Sequence, residues 1–144
     1  MFIGVIGNGF VGKATTQLKC KDIKLLAYDI NPEACEPSGL TLQDMNQSEV
    51  IFISVPTPMS KDGSCHLNII KSVLNDLQSI DYKGFIVLRS TVPAGTCDEL
   101  GVYFMPEFLT EKNYIDDFIN NKDWVFGLLN KGLDEEFKTT ITKL

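Results

Sequence analysis

The chain has 144 residues, of which 44% are hydrophobic and 22% are charged, and its formal net charge is −6. This length and balance are typical of one globular domain and exclude a disordered chain. An acidic chain repels nucleic-acid phosphates and anionic lipid, so we expect neither nucleic acid nor a membrane as a partner. No apolar stretch approaches the roughly 20 residues that span a bilayer.

The sequence contains four cysteines and one histidine, which are Cys20, Cys35, Cys65, Cys97 and His66. No two cysteines form a C-x-x-C pair, so the spacing predicts no zinc or other metal site. We interpret the cysteines as structural free thiols of a reducing compartment, and His66 as a surface or helix-start residue. The apolar run 2–6 is too short for a signal peptide, and we therefore predict a cytoplasmic protein.

Short apolar runs alternate with helical patterns along the chain, as is typical of β-α-β units around a parallel sheet. The predicted strands cover residues 2–6, 24–28, 50–55, 85–89, 101–104 and 124–127. The predicted helices cover residues 11–19, 67–79, 94–100 and 133–144. Segment 107–123 has mixed signals and is predicted to be mostly loop. The pattern therefore predicts a single α/β domain over residues 1–144.

A glycine-rich turn, Gly7-Asn8-Gly9-Phe10-Val11-Gly12, follows the first predicted strand and opens the first predicted helix. In such a G-x-G-x-x-G turn the first glycine permits the bend and the second lets a pyrophosphate approach the backbone. The third lets the helix pack on the strand. The free amides and the dipole of the helix then bind the phosphates. The motif predicts a Rossmann-type parallel sheet of about six strands, with helices on both faces, that binds a dinucleotide.

The second predicted strand ends beside Asp29, close to the roughly 20-residue spacing of a ribose-binding acid. Its carboxylate can accept hydrogen bonds from both hydroxyls of an adenosine ribose. A 2′-phosphate would instead meet a like charge, at a cost on the order of 4 kcal/mol at contact. The sequence therefore favours NAD over NADP, and FAD is the main alternative. For Asp29 itself, the alternative is that it only caps the turn before Asn31-Pro32.

Three polar motifs begin at the carboxyl ends of predicted strands, where ligands of open α/β sheets bind. They are SVPTP at residues 54–58, RSTVPAGT at 89–96 and MPEFLTE at 105–111. Together with the glycine turn, this ordered set resembles the N-terminal domain of the UDP-glucose/GDP-mannose dehydrogenase family over nearly the whole chain. Members of that family oxidise the primary alcohol of a nucleotide sugar to a carboxylate, with two NAD and a covalent thioester step.

The resemblance implies a role for each motif. The residues it assigns to NAD are Gly7, Asn8, Gly9, Phe10, Val11, Gly12, Asp29, Val55, Pro56, Thr57, Ser90, Thr91, Val92 and Glu111. It implies that Thr91 lies beside the reacting sugar and that Glu107 is the general base for thioester hydrolysis, with Glu107, Phe108 and Leu109 facing the substrate. The residues alone leave an alternative for each of these two. Thr91 would only cap a helix that begins near Pro93, and Glu107 would be a solvated acid of a loop.

The sequence departs from the family pattern where the covalent chemistry is concerned. The cysteine nucleophile of a G-F-G-G-x-C segment, and the lysine, asparagine and aspartate that act with it, cannot be assigned among residues 1–144. The family's central helix and C-terminal substrate domain are likewise absent from the sequence. His66 stands where the family usually has aspartate, Lys112 replaces a usual glycine, and an arginine before the sixth strand is replaced near residues 122–124.

We therefore expect the NAD-binding domain of a nucleotide-sugar dehydrogenase, similar to UDP-glucose 6-dehydrogenase and incomplete as an enzyme on its own. The alternatives are a non-catalytic NAD-binding module and a cofactor half that acts with a separate catalytic chain. A hydroxyacid dehydrogenase is a third candidate, which the PTP and PEFL segments disfavour. The expected partner is a UDP- or GDP-linked sugar, and both a monomer and a homodimer stay open.

Overall fold

The continuous apolar runs of the sequence form a parallel sheet, because strands that are covered on both faces must be apolar throughout. The computed structural model describes residues 1–144. Its five strands are β1 (Phe2–Ile6), β2 (Lys24–Tyr28), β3 (Val50–Ile53), β4 (Phe85–Leu88) and β5 (Tyr103–Phe104). They pair in parallel in the order β2-β1-β3-β4-β5. The predicted α/β class and the Rossmann-type parallel sheet are confirmed.

Helices cover both faces of the sheet, as predicted. They are α1 (Phe10–Thr15), α2 (Asn68–Ser79), α3 (Thr96–Leu100), α4 (Tyr114–Asn120) and α5 (Asp134–Ile141). Short 3-10 helices span Thr16–Leu18, Pro32–Ala34 and Leu42–Gln47, the last two in the connection from β2 to β3. None of the helices combines the length and the apolar character that crossing a bilayer requires.

The core consists of two buried clusters, one on each face of the sheet. On one face, Ala14 of α1, Phe118 of α4 and Phe137 of α5 pack on strand residues such as Phe52. On the other face, Ile70 and Leu77 of α2 pack on the alternate strand residues. Side chains in a strand alternate between faces, so each strand contributes to both clusters. The sheet is therefore the shared wall of two apolar layers.

The sixth strand, predicted over residues 124–127, does not form. Gly127 makes one antiparallel bridge to Phe104, with N···O distances of 2.8 and 3.3 Å, and the ladder goes no further. Trp124 packs edge-on against Phe118, and Phe126 packs edge-on against Phe137. Because β5 has only two residues, it offers little edge for another strand. The apolar run therefore fills space against the helices.

Part of the segment predicted to be mostly loop, residues 107–123, is helical. Helix α4 covers Tyr114–Asn120. Its residue Phe118 is buried against the core, and Tyr114 meets Phe10 of α1 edge-on with ring centroids 6.1 Å apart. Asp117 also accepts hydrogen bonds from the amide and hydroxyl of Thr110. A helix of seven residues makes about two turns, too few for a periodic pattern to repeat in the sequence.

The strand order creates a topological switch point at the carboxyl ends of β1 and β3. After β1 the chain forms β2 on one side of β1, and it then returns to form β3 on the other side. In such sheets the crevice outside the carboxyl ends of the two flanking strands is where ligands bind. The turn that follows β1 and the segment that follows β3 meet at this crevice.

Candidate dinucleotide-binding site

The glycine turn has the backbone that its sequence predicts. Gly7 has a φ of +89°, and a Cβ there would lie 2.6 Å from the carbonyl oxygen of Ser54, directly after β3. A side chain on Gly12 would overlap the carbonyl oxygen of Gly7. Glycine at these two positions is therefore needed for the turn to close and for α1 to pack against it.

The space around Gly9 is open, in contrast to the two other glycines. A Cβ on Gly9 would meet no atom within 4 Å, and its φ of −71° suits any residue. Folding alone therefore does not require glycine here. A ligand that must approach the main chain does require it, because a side chain would fill the space that the ligand needs.

The amides at the start of α1 are available to an anion. Gly9 is the N-cap of α1, no side chain caps the helix, and its first turn contains no acidic residue. The first amides of a helix have no acceptor within the helix, and they carry the positive end of its dipole. An open glycine beside uncapped amides fits the pyrophosphate of a dinucleotide, and it explains how an acidic chain can hold one.

Asp29 stands at the end of β2, next to the glycine turn. Its Oδ2 accepts a hydrogen bond from the Asn8 amide at 2.7 Å, and its Oδ1 accepts one from the Asn31 amide at 2.9 Å. The second bond is the turn cap considered as an alternative, and the first ties Asp29 to the turn. A carboxylate has about four lone-pair sites, so half-buried Asp29 can also accept bonds from ribose hydroxyls.

The loops after β3 and β4 are joined by side-chain hydrogen bonds. The Thr57 hydroxyl donates to the Thr91 carbonyl, and the Ser90 hydroxyl donates to the Val55 carbonyl, both at 2.7 Å. A cleft of about 350 Å³ opens beside these bonds. Its walls include Thr57, Met59, Ser64, Cys65, Thr91 and Val92. Of the predicted NAD residues in these two loops, Thr57, Thr91 and Val92 line the cleft, whereas Val55, Ser90 and exposed Pro56 lie outside its wall.

Thr91 is exposed, and the alternative that it caps a helix is wrong. Helix α3 begins at Thr96, two residues after the predicted start, and its N-cap is Gly95 with a φ of +87°. No side chain caps this helix. The Thr91 hydroxyl is therefore not used by the backbone and faces the solvent of the crevice.

The segment after β5 carries the predicted substrate-facing residues. Half-buried Glu107 accepts a hydrogen bond from the Leu109 amide at 2.9 Å through Oε2, which fixes the carboxylate against its own loop. Phe108 is 68% exposed, whereas Leu109 packs against the core. Glu111 is exposed in the turn before α4, the helix that packs on α1.

The sequence analysis assigned no role to Arg89, which lies directly after β4 and is 2% exposed. Its Nη1 donates to the Thr15 hydroxyl at 2.5 Å, and its Cζ lies 5.4 Å from the ring centroid of Phe118. Burial lowers the pKa of Arg89 to about 10, while the negative charge of Glu107 opposes that shift. Arg89 thus joins α1, α4 and the Glu107 loop. A charged residue at the end of an apolar run was the available signal.

The cysteines occupy four different environments, and all are free thiols. Cys20 is exposed. Cys35 is buried, and its Sγ donates to the carbonyl oxygen of Asp29 at 3.3 Å. Cys97 is half-buried in α3. Cys65 lines the cleft, with Sγ 3.8 Å from the Thr91 carbonyl oxygen. The next residue, His66, is half-buried two positions before α2.

Residues 35–142 match the model of the UDP-glucose/GDP-mannose dehydrogenase family, NAD binding domain. The chain belongs to this family. One relative is the UDP-glucose 6-dehydrogenase of Rickettsia bellii, which is 29% identical to the chain over 101 residues. That alignment covers 62% of this chain and 23% of the relative. This NAD-binding domain thus spans about a quarter of the length of that relative.

Solved structures share the fold of this NAD-binding domain. The GDP-mannose dehydrogenase of Pseudomonas aeruginosa superposes on all of the chain with a TM-score of 0.78, at 23% identity and over 44% of its own length. The UDP-glucose dehydrogenase of Pyrobaculum islandicum covers 99% of the chain with a TM-score of 0.74, at 22% identity and over 44% of its own length. The glycine turn and Asp29 precede the matched residues 35–142, so the superpositions extend the likeness over them.

The family decides between the two cofactors that the glycine turn left open. Its matched unit is an NAD-binding domain, so NAD is the cofactor. The residues fit that assignment on their own geometry. Gly9 leaves the main chain open to a pyrophosphate, and the Asp29 carboxylate stands beside the turn.

Proposed function

We propose that this domain is the NAD-binding half of an enzyme that oxidises the primary alcohol of a nucleotide sugar to a carboxylate. The observation that carries the proposal is that predicted NAD residues lie at the same edge of the sheet, outside the carboxyl ends of β1 to β4. The glycine turn follows β1, Asp29 follows β2, and Thr57 and Thr91 follow β3 and β4. A dinucleotide whose pyrophosphate lies on the turn would direct its two ends toward Asp29 and toward the Thr57–Thr91 cleft.

Each predicted residue then has a distinct task. Bound NAD supplies the acceptor for a hydride from the alcohol carbon. The amides from Gly9 to Gly12 would hold the pyrophosphate, and Asp29 would accept hydrogen bonds from the adenosine ribose. Thr57 and Val92 would line the cleft around the nicotinamide, with Val55 and Ser90 beside it, and exposed Glu111 would reach the cofactor from the turn before α4.

Thr91 and Glu107 are the candidate catalytic residues. The Thr91 hydroxyl is free of backbone bonds, so it is able to orient a water or a substrate oxygen. Glu107 would take a proton from that water, because its carboxylate is fixed by the Leu109 amide while Oε1 has no protein partner. Phe108, a mostly exposed aromatic residue beside Glu107, offers an apolar surface for the substrate to cover.

The proposal places the reaction in the cytoplasm, which the four free thiols support. NADH formation distinguishes the proposed function from its alternatives. A non-catalytic module would bind NAD without turnover in any assembly, whereas a cofactor half would yield NADH from a nucleotide sugar once a cysteine-bearing catalytic segment is supplied.

Titration calorimetry with NAD, NADP and FAD tests the binding half of the proposal. We expect NAD to bind, NADP to bind more weakly, and FAD not to bind. The Asp29→Ala variant should bind NAD about fivefold to a hundredfold more weakly, the range of about 1–3 kcal/mol for stranding polar groups. Asp98→Ala, a change of an exposed acid on α3, is the matched control and should leave the affinity unchanged.

Absorbance at 340 nm with UDP-glucose or GDP-mannose tests the catalytic half. NADH should form when the domain is combined with a catalytic segment of the family. If NAD binds but no NADH forms with either sugar, the proposed oxidation is contradicted and the binding module is favoured. No NAD uptake at millimolar concentration would contradict both.

A further inference from the structure

Asn8 is buried although it lies in an open turn. Its side chain is 4% exposed, whereas the following Gly9 is exposed. The Nδ2 group donates a hydrogen bond to the Ala34 carbonyl at 2.7 Å, and the main-chain amide donates to Asp29 Oδ2 at 2.7 Å. One residue of the glycine turn thus bonds to residues 29–36, here named the ribose loop, at two places, Asp29 and Ala34.

The other hydrogen bonds of the ribose loop either stay within it or join its last residue to β2, where Glu36 and Ala27 exchange two main-chain bonds at 2.8 Å. Asn31 donates its amide to Asp29, Glu33 donates its amide to the Asn31 side chain, and Cys35 bonds to the Asp29 main chain. The Gly7 amide donates to the carbonyl of Tyr28, which ends β2 directly before the loop, and no further hydrogen bond joins the glycine turn to the loop. The two hydrogen bonds from Asn8 are therefore the ones that set the position of the ribose loop relative to the turn.

The side chain at position 8 is not one that packing alone would favour. Asn8 Oδ1 is buried and receives no hydrogen bond from the protein. A buried carbonyl without a donor costs on the order of 1–3 kcal/mol, a cost that an apolar side chain of similar size would avoid. The bond from Nδ2 to Ala34 is what asparagine adds here, since the main-chain bond to Asp29 is open to any residue at this position.

We propose that Asn8 is a positioning residue that fixes the ribose loop and the Asp29 carboxylate, and thereby determines the preference of the domain for NAD over NADP. The inference rests on the proposed contact of Asp29 with the adenosine ribose. With the loop fixed, the carboxylate cannot turn away from a 2′-phosphate and repels it. Without the bond to Ala34, here named the clamp, the ribose loop is tied to the turn only through the main-chain amide of residue 8, so the loop and its carboxylate move more freely. The repulsion of a 2′-phosphate then falls, and a favourable ribose contact is weakened.

The variants Asn8→Ala and Asn8→Leu test this proposal, the second because it fills the same volume without a donor. Asn46→Ala is the matched control, because the Nδ2 of Asn46 also donates to a distant carbonyl, that of Ile80, at 2.7 Å. We expect both Asn8 variants to bind NAD about fivefold to tenfold more weakly in calorimetry. Their binding of NADP should change little, so the ratio of the NADP to the NAD dissociation constant should fall about fivefold. Asn46→Ala should leave that ratio unchanged.

An unchanged ratio in the Asn8 variants, or an equal fall in Asn46→Ala, would overturn the proposal, since a general loss of stability weakens both ligands alike. Amide hydrogen exchange of the free protein reports on the clamp without any cofactor. The Asn31 amide, which donates to Asp29, should exchange faster in both Asn8 variants and not in the control. Equal exchange would overturn the clamp. If the unchanged chain binds no NAD, the proposed function fails and the specificity role with it, while exchange still decides whether Asn8 fixes the loop.

Discussion

At the scale of single residues, the three glycines of the turn do different things. Gly7 and Gly12 are required by the protein itself, because a Cβ at either position would meet main-chain atoms. Gly9 is required by nothing within the protein. The sequence motif does not distinguish the three glycines. Only the packing around them shows which glycines the fold requires and which one a ligand requires.

Glu107 is the residue on which the proposed hydrolysis depends. The Glu107→Gln variant keeps the size and keeps an oxygen that can accept from the Leu109 amide, but it loses the base. We expect NAD affinity to stay unchanged, whereas hydrolysis by an assembly that includes a catalytic cysteine segment falls about 10²- to 10⁴-fold.

Calorimetry and product analysis would measure these two effects for Glu107→Gln. Glu99→Gln, at an exposed position of α3, is the control and should behave as the unchanged chain does. Full hydrolysis by Glu107→Gln would remove Glu107 from the role of base.

Residue identities alone predicted part of the candidate site. The turn and Asp29 are local in sequence, and their spacing carries their chemistry. Arg89 and the side chain of Asn8 escaped prediction because their partners are distant: Arg89 bonds to Thr15, 74 positions away, and Asn8 bonds to Ala34, 26 positions away. No periodicity or motif records such pairs, which depend on how α1 and the ribose loop pack around the sheet.

At the scale of elements, the strands before β5 were predictable, and the last part of the chain was less so. Strands β1 to β4 are buried on both faces, so continuous apolar runs mark them. The run at residues 124–127 looks the same in the sequence, yet it packs as Trp124 and Phe126 against aromatic residues of α4 and α5. Apolar character reports burial, whereas the two-residue length of β5 decides whether an edge exists to extend the sheet.

Tyr103 of β5 contacts two residues of helix α5, which it helps to hold on the sheet. Tyr103 of β5 donates its hydroxyl to Asp134 at 3.1 Å, and its ring stacks on Phe137 at 3.7 Å between centroids. Burial, followed by the bond to Asp134 and the charges of Asp134 and Glu136, raises the pKa of Tyr103 to about 12. The folded state therefore holds this proton more tightly than the unfolded chain does.

This pKa shift predicts a loss of stability at alkaline pH. The unfolded tyrosine releases its proton from about pH 10, so the contribution is complete below that pH and is lost as the pH rises through 10 toward 12. Urea unfolding between pH 9 and 11.5 should show a falling free energy of unfolding, with a shallower fall in Tyr103→Phe. Burial also raises the pKa of Tyr82, which contributes to the slope that remains. Equal slopes in both proteins would contradict the shift at Tyr103.

At the scale of the whole molecule, the charge of −6 and the binding of an anionic cofactor have to be reconciled. The uncapped amides of α1 act at contact, whereas the repulsion from the acidic surface acts over distance. Salt screens charges that are separated by more than about 10 Å at 0.1 M and affects contacts at a buried backbone much less. The two effects are therefore separable by ionic strength.

We expect the affinity for NAD to stay constant or to rise slightly, by less than about threefold, as the NaCl concentration increases from 50 to 500 mM. Calorimetry at constant pH measures this, with potassium glutamate in place of NaCl as a control for direct chloride binding. A steep fall in affinity with salt would mean that a basic surface binds the phosphates, and it would remove the glycine turn from the main role.

The central claim is that open main chain at Gly9 binds the pyrophosphate of NAD, and Gly9→Ala tests it most directly. The added Cβ meets no protein atom, so the free energy of unfolding should change by about 1 kcal/mol or less, while calorimetry should show NAD binding weakened more than about tenfold. Gly132→Ala, also in open space, should change neither quantity, and Gly12→Ala should lower both. Undiminished NAD binding by a folded Gly9→Ala protein would contradict the claim.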